Sequence, residues 1–239
     1  MLKLDIKKQF TTFEGFQKNT FTLAPLEASQ AITFGNSLRR ILLSNTIGLS
    51  LSGVSINENS TDFDSILGVR EDTLEIILNL KEINFSLPLN ISSINKTIKG
   101  FLKLKGPKIV TSNLLRFPKS ITRIVQPNKY ICTITERRNL LIELTLNLDK
   151  GYTMGSKHKI ENIYTERNNL FLINTTYCPV INVLFFANLC YNNNGILKES
   201  LNLEIETNGS ITPTRCLFEA FKFFHDSIQF ILIPNEIFD

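Results

Sequence analysis

An apolar stripe at helical spacing runs through residues 33–48, which read TFGNSLRRILLSNTIG. Apolar side chains stand at positions i, i+4, i+7 and i+8 and line one face of a helix: Phe34, Leu38, Ile41 and Leu42. Gly48 follows the apolar run and predicts the end of the helix. Either Ser29 or Thr33 caps its start. The pattern predicts an amphipathic helix.

A second helix is predicted over residues 71–83. Glu71 and Asp72 fall in its first turn and Lys81 in its last turn, and both placements are favourable against the helix macrodipole. Its apolar residues occupy two faces, one formed by Leu74, Ile77 and Leu78 and the other by Ile76, Leu80 and Ile83. A helix that is apolar on two sides is expected to be covered on two sides.

Period-two alternation dominates residues 85–173 and predicts strands. The clearest case is 140–148, where every second residue is Leu or Ile. Further along, 180–191 and 201–206 are predicted to pair around an Asn-rich turn at 192–195. The order is therefore helix, long β-rich stretch, strand pair and a last helix, which indicates an α+β fold with one domain inserted into another.

The last helix opens at Thr212-Pro213, with Thr212 as N-cap and Pro213 at N1. One apolar stripe follows, and Phe218, Phe223 and Phe230 lie off it. A single sheet cannot cover so many faces, so a helix-mediated dimer interface fits better than burial in the core alone. The interface candidates from both terminal helices are Leu38, Ile41, Leu42, Leu217, Phe218, Phe221, Phe224 and Ile228.

Two adjacent arginines, Arg39 and Arg40, interrupt the apolar run of the first helix. Neighbouring helix positions lie about 100° apart, so at least one of the two borders the apolar stripe. Arginine suits that place because its rigid donor fork pairs with carboxylates and carbonyls. The alternative is two solvated surface arginines.

The amino-acid composition and net charge limit the classes of function that this chain can have. Hydrophobic content of 43%, charge of 20% and a net charge of +4 are those of a globular domain without a strong basic stripe. Four cysteines without a C-x-x-C pair and two histidines indicate no metal site, and we expect no cofactor. We find no apolar run of 18 residues and no signal-peptide pattern, so no membrane association is expected.

Three stretches resemble the signatures of one family, the α subunit of bacterial-type DNA-directed RNA polymerase. Residues 33–48 are similar to TLGNALRRILLSSLPG, residues 68–82 (GVREDTLEIILNLKE) to GVREDVTEIILNLKE, and residues 203–213 (LEIETNGSITP) to LEIWTDGSITP. They occur in the family's order, and the resemblance extends from about residue 23 to about residue 231.

The resemblance implies a dimerisation domain from residues 1–47 and 178–239, with two long helices packed on an antiparallel sheet, and a mainly-β insert domain over 48–177. It implies a homodimeric scaffold that recruits the β and β′ subunits and meets DNA only through the assembled polymerase. The implied subunit contacts are Gly35, Asn36, Arg39, Arg40, Gly68, Val69, Arg70, Glu71 and Asp72. Catalysis belongs to the large subunits, so the chain is a non-catalytic subunit of a nucleotidyltransferase and is expected to be inactive alone.

Bacterial members of the family continue into a C-terminal DNA-binding domain, which is expected to be absent here because the sequence ends at Asp239. With the Asn- and Ile-rich composition and the lack of a transit peptide, this favours a plastid-encoded subunit in the stroma over one in a bacterial cytoplasm. The main alternative is a free-standing nucleic-acid-binding module, which the small positive charge supports. A small enzyme is a third class, but no nucleophile–base or carboxylate pair indicates one.

Overall fold

A computed structural model describes residues 3–12, 15–56, 65–86, 97–118, 123–157, 170–191 and 195–232. Its strands pair in antiparallel sheets, and with the helices they confirm the α+β class with an inserted mainly-β segment. The elements in chain order are β1 (Lys3–Thr11), β2 (Gln17–Leu26), α1 (Gln30–Ser44), β3 (Ile47–Ile56), α2 (Thr73–Lys81), β4 (Phe85–Ser86), β5 (Ile98–Lys105), β6 (Lys108–Thr111), a 3₁₀ turn (Ser112–Leu114), β7 (Arg123–Ile124), β8 (Tyr130–Ile134), β9 (Asn139–Lys150), β10 (Tyr152–Thr153), β11 (Phe171–Leu172), β12 (Thr175–Thr176), β13 (Val180–Tyr191), β14 (Leu197–Thr207) and α3 (Pro213–Leu232).

Contacts between residues divide the chain into two compact units. Unit 1 comprises Met1–Thr46 and Cys178–Asp239, and unit 2 comprises Ile47–Tyr177. In unit 1 a four-stranded sheet in the order β1-β2-β14-β13 carries α1 and α3. The pairs Phe21–Leu203 and Leu23–Leu201 of neighbouring strands β2 and β14 are buried, as is Leu38 of α1, so apolar burial holds the helices on the sheet.

Helix α1 begins at a carboxylate supplied by another element rather than at its own cap. Ser29 occupies the N-cap position with φ 69°, and its side chain makes no capping hydrogen bond. Instead Glu199 of β14 accepts hydrogen bonds from the backbone N–H groups of Ser29 (2.8 Å) and Ala31 (3.1 Å). A carboxylate at this end of a helix satisfies free N–H groups and complements the macrodipole.

The predicted end of α1 at Gly48 is wrong. The helix ends at Ser44, and Gly48 lies inside β3 opposite Asp149. Its lack of a side chain is needed for a different reason, because a Cβ atom at this position would meet the backbone of Tyr177.

In unit 2 a second antiparallel sheet has the order β11-β3-β9-β5. The alternation predicted for residues 140–148 is confirmed, since Leu140, Ile142, Leu144, Leu146 and Leu148 are buried and the residues between them, Leu141 included, are half-buried or exposed. Shorter strands pair as β6-β8, β4-β7 and β10-β12. Helix α2 contacts β3 and β8 and buries Ile76 and Leu80.

Two expectations for the second helix need correction. The helix begins at Thr73, with the Asp72 side chain accepting a hydrogen bond from the Glu75 N–H at 2.8 Å, so Glu71 lies outside it. Leu74 and Leu78 are exposed, and the helix is therefore not covered on both sides by its own chain.

Helix α3 begins as the Thr-Pro pair predicts. The Thr212 hydroxyl accepts a hydrogen bond from the Arg215 N–H at 3.4 Å, and Pro213 is the first helical residue. Strands β13 and β14 form the predicted pair, while the turn residues 192–194 and the side chains of Phe230 and Ile231 lie outside the described residues.

Candidate functional site

The two arginines of α1 have different environments. Arg39 is half-buried, and its Nη1 donates a hydrogen bond to the backbone carbonyl of Val183 in β13. Arg40 is exposed, and no residue that the structure describes pairs with its guanidinium group. Arg39 therefore holds α1 against the sheet of its own chain, whereas Arg40 is free to contact a partner.

Gly35, one of the predicted contact residues, is buried under an aromatic ring. A Cβ atom at Gly35 would lie 2.4 Å from Cδ2 of Phe185 in β13, far inside van der Waals contact. The glycine is thus a packing residue of unit 1, and its role as a subunit contact stays a prediction. Asn36, the next residue on the helix, is exposed.

In unit 2 the segment 68–72 (GVRED) lies along strand β8. The Arg70 N–H donates to the Thr133 carbonyl at 3.0 Å, and the Gly68 carbonyl accepts from the Thr135 N–H at 2.8 Å. Gly68 has φ 81°, a left-handed conformation that glycine adopts at little cost. Backbone pairing therefore fixes where each side chain of this segment points.

Glu71 points inward from this segment and is only 2% exposed. Its Oε2 accepts a hydrogen bond from the Thr133 N–H at 2.7 Å, and its Oε1 accepts one from the Tyr130 hydroxyl. Burial raises the pKa of the Glu71 carboxyl, but hydrogen bonds from Tyr130 and Thr133 and the charge of Arg70 outweigh it, so the net pKa lies below its ordinary value. Glu71 is thus an internal anchor of the segment, and its role as a subunit contact stays a prediction.

Arg70 points outward, and its side chain is 67% exposed. Its Nε and Nη2 lie 3.0 and 2.9 Å from Oε1 of Glu71, and its guanidinium carbon lies 5.9 Å from the centre of the Tyr130 ring. Val69 is half-exposed, and Asp72 is occupied as the α2 cap. Of the predicted contact residues in unit 2, Arg70 therefore offers the charged group best placed to meet a partner.

The predicted dimer interface divides into core and surface residues. Leu38, Leu42 and Leu217 are buried within unit 1 and belong to its core, and their part in a dimer interface stays a prediction. Ile41, Phe221 and Phe224 are half-buried, and the Phe224 ring lies 6.3 Å from that of Phe34 in an edge-to-face arrangement. Outward-facing apolar side chains remain on α3, where Phe218 is 69% and Ile228 is 42% exposed.

Tyr130, Thr133 and Val183 are functional neighbours that the sequence did not reveal. Each contacts its site residue across a gap of 59 residues or more, as in the Tyr130–Glu71 and Arg39–Val183 pairs. Short motifs carry no signal for such pairs. The register of β8 against the segment 68–72 is what brings the first two residues to Glu71.

The remaining reactive groups indicate no catalytic chemistry within the described part of the chain. Burial raises the pKa of the Cys132 and Cys216 thiols to about 12, which keeps them protonated and inert. No group of three or more His, Cys, Asp or Glu side chains suited to a metal ion occurs among the described residues. No helix in the described ranges is long and apolar enough to cross a membrane.

Comparison with known proteins gives consistent matches along the chain. Residues 54–177 match the model of the RNA polymerase Rpb3/RpoA insert domain. The DNA-directed RNA polymerase subunit alpha of Rhodomonas salina is 38% identical over 225 residues, which are 93% of this chain and 68% of that protein. The subunits alpha of Phaeodactylum tricornutum and Cyanidium caldarium are 38% and 34% identical over 90% and 92% of this chain. The chain spans about two thirds of the length of these relatives.

Proposed function

This chain belongs to the family of DNA-directed RNA polymerase α subunits, and we propose that it is the homodimeric scaffold on which the β and β′ subunits of that polymerase assemble. Two identical protomers would present two copies of each contact surface, one for each large subunit. The chain is then a non-catalytic subunit of a nucleotidyltransferase. DNA meets it only within the assembled enzyme.

The dimer is proposed from the large apolar side chains that α3 leaves exposed. Residues 222–229 are exposed except for Phe224, and Phe223 and Ile228 are among them, in addition to Phe218. Large apolar side chains that repeat along one helix without cover from their own chain are typical of a protein interface. A second copy supplies a matching apolar helix by symmetry, because a two-fold interface is self-complementary.

Light scattering of a Phe218→Asp variant tests the dimer. An unpaired carboxylate in an apolar contact is heavily penalised, so we expect the dimer dissociation constant to rise by about a hundredfold or more. Leu67→Asp is the matched control, since Leu67 is equally exposed (71%) but lies in unit 2. A stable Phe218→Asp dimer would refute this interface.

The proposed contacts with the large subunits are centred on Arg40 and Arg70. Both side chains are exposed, and each is carried by a rigid element, α1 for Arg40 and the β8-paired segment for Arg70. Asn36 lies on α1 one turn from Arg40 and extends the proposed contact surface of unit 1. Arginine is enriched among the anchor residues of protein interfaces because its planar guanidinium group loses less rotamer entropy for each hydrogen bond that it forms.

Co-purification with the large subunits tests the scaffold as a whole. We expect the tagged chain to recover β and β′ from cells of its source organism, and Arg40→Ala to recover less β while remaining a dimer. A chain that dimerises but recovers neither large subunit would contradict the proposal. The relatives are α subunits of algae, which supports the plastid, and its stroma, as the proposed location.

A further inference from the structure

The Arg70 guanidinium group is held by neighbours along one edge and left open along another. Its Nε and Nη2 both approach Oε1 of Glu71, and Nη2 also lies 3.3 Å from the Tyr130 hydroxyl oxygen. No described residue bonds to Nη1. The Nη1 edge of this 67% exposed side chain therefore faces solvent with its donors unused.

The groups that hold Arg70 are themselves fixed. The Tyr130 hydroxyl donates to Glu71 and lies 2.6 Å from Oγ1 of Thr133, and the Thr133 N–H donates to the other carboxylate oxygen of Glu71. Strand β8, which carries both residues, is tied to α2 by a hydrogen bond from the Asn79 amide to the Ile131 carbonyl at 2.9 Å. A network in which every member is bonded restricts the rotation of the group it holds.

From this geometry we propose that Glu71 and Tyr130 are positioning residues, which orient the open edge of Arg70 to receive a carboxylate of the β subunit. The inference rests on the proposed function and adds to it the chemistry of the contact. An arginine that is already oriented loses less entropy on binding, and its guanidinium group donates charge-assisted hydrogen bonds to a carboxylate.

The surroundings of Arg70 favour a protein carboxylate over a nucleic-acid phosphate. Three acidic residues, Glu71, Asp72 and Glu75, lie within five positions of it, and they would repel a polyanionic backbone while tolerating a single carboxylate. Exposed Leu67 directly precedes the segment 68–72, and exposed Leu74 and Leu78 lie on the helix α2 that follows it. Apolar neighbours of this kind match a protein interface.

The test measures the affinity of the full-length dimer for purified β subunit from the same organism. Arg70→Ala and Arg70→Lys should each weaken binding by about tenfold, because lysine keeps the charge but lacks the fork. Tyr130→Phe should weaken it by roughly threefold to tenfold, since the ring stays and only the hydroxyl contacts are lost. Tyr152→Phe, at an exposed tyrosine elsewhere in unit 2, is the matched control and should bind as the wild type does.

A double-mutant cycle separates positioning from general loop support. If Tyr130 acts through Arg70, Tyr130→Phe should have no further effect in an Arg70→Ala chain. Equal effects of Tyr130→Phe in both backgrounds would overturn the inference, as would wild-type affinity of Arg70→Lys. The Arg70 variants keep the inference testable if Tyr130→Phe fails to fold, because the Arg70 side chain is largely exposed.

Two further outcomes of the binding experiment would bear on other parts of the proposal. A wild-type dimer that does not bind β at all would refute the proposed function rather than the role of Tyr130. Binding of a random-sequence DNA duplex by the wild-type dimer, lost in Arg70→Ala, would assign the open edge to phosphate and overturn the carboxylate contact.

Discussion

A Cβ atom added to Gly48 would lie 1.6 Å from the backbone carbonyl oxygen of Tyr177. Gly48 is at the beginning of β3, and Tyr177 is the last residue of unit 2. The Tyr177 N–H donates to the Gly151 carbonyl at 2.8 Å, which fixes the returning chain in place. Two backbone segments therefore pass each other here at a distance that admits only glycine.

We expect Gly48→Ala to lower the free energy of unfolding by more than about 2 kcal/mol, because Gly48 is held by its pairing in the sheet and Tyr177 by its backbone hydrogen bond to Gly151. Gly151→Ala is a useful comparison, since Gly151 has φ 66° but open space around it, and conformational strain alone costs about 1–2 kcal/mol. Urea denaturation of both variants measures the difference. A smaller loss for Gly48→Ala than for Gly151→Ala would show that the close approach is not tight.

The structure also predicts that the two arginines of α1 contribute differently to the stability of the folded chain. Arg39→Ala removes the hydrogen bond to the Val183 carbonyl and should cost about 1–2 kcal/mol of stability. Arg40→Ala should change stability by less than about 0.5 kcal/mol, because its side chain is exposed. Denaturation of the isolated chain distinguishes them. Equal losses would mean that the contact of Arg39 with β13 is not formed in solution.

Periodic sequence patterns predict the helices and strands of this fold, but they do not predict which residues far apart in the sequence contact each other. The alternation of β9 follows from the pleat alone, and its five buried apolar residues were predicted. The sequence predicts that Gly48 ends a helix because glycine often does so. In the structure, glycine is required at this position because the backbone of Tyr177 leaves no room for a Cβ atom. No local pattern encodes an approach between residues 129 positions apart.

The candidate site shows the same limit. The motif GVRED identifies the segment 68–72, but it does not tell that Glu71 is buried and Arg70 exposed. That difference arises from pairing with β8, which turns Glu71 toward Tyr130 and Thr133. The helical stripe likewise contains Leu38, which its own sheet buries, so periodicity alone cannot separate core from interface.

The start of α1 depends on Glu199 of β14. Glu199→Ala leaves the N–H groups of Ser29 and Ala31 without their acceptor and should cost about 1–2 kcal/mol, a typical loss for a helix cap. Glu206→Ala on the same strand is the control, since it removes a carboxylate away from the helix start. Hydrogen exchange at Ala31 should accelerate in Glu199→Ala alone. Unchanged protection there would mean that water replaces the carboxylate.

Thiol labelling should follow burial. Cys132 and Cys216 are fully buried, and burial raises the pKa of each thiol to about 12, so neither should react with iodoacetamide at pH 8 in the folded chain. Cys190 is half-exposed and should label first, whereas burial also raises the pKa of the half-exposed Cys178 thiol, which should label later. Mass spectrometry of digested peptides, with a urea-unfolded sample as the positive control, identifies the labelled residues. Rapid labelling of Cys216 would contradict the packing of α3 on the sheet.

Acid should weaken unit 2 through Glu71. The folded chain lowers the pKa of the Glu71 carboxyl below its ordinary value of 4.5, so the unfolded chain binds a proton at a higher pH than the folded one does. The stabilisation is therefore complete above about pH 4.5 and is lost as the pH falls through the folded pKa. Glu71→Gln should cost roughly 1–3 kcal/mol at pH 7, and this difference from the wild type should shrink toward pH 3.

The matched control for this titration is Asp72→Asn, one residue along the same segment. Asn and Asp are similarly good N-caps, so this variant should keep the α2 cap and cost less than about 0.5 kcal/mol at pH 7. Urea denaturation at a series of pH values measures both variants against the wild type. A Glu71→Gln difference that stayed constant from pH 7 to pH 3 would show that the amide destabilises the fold independently of charge. The ionised carboxylate between Tyr130, Thr133 and Arg70 would then not be what stabilises the segment.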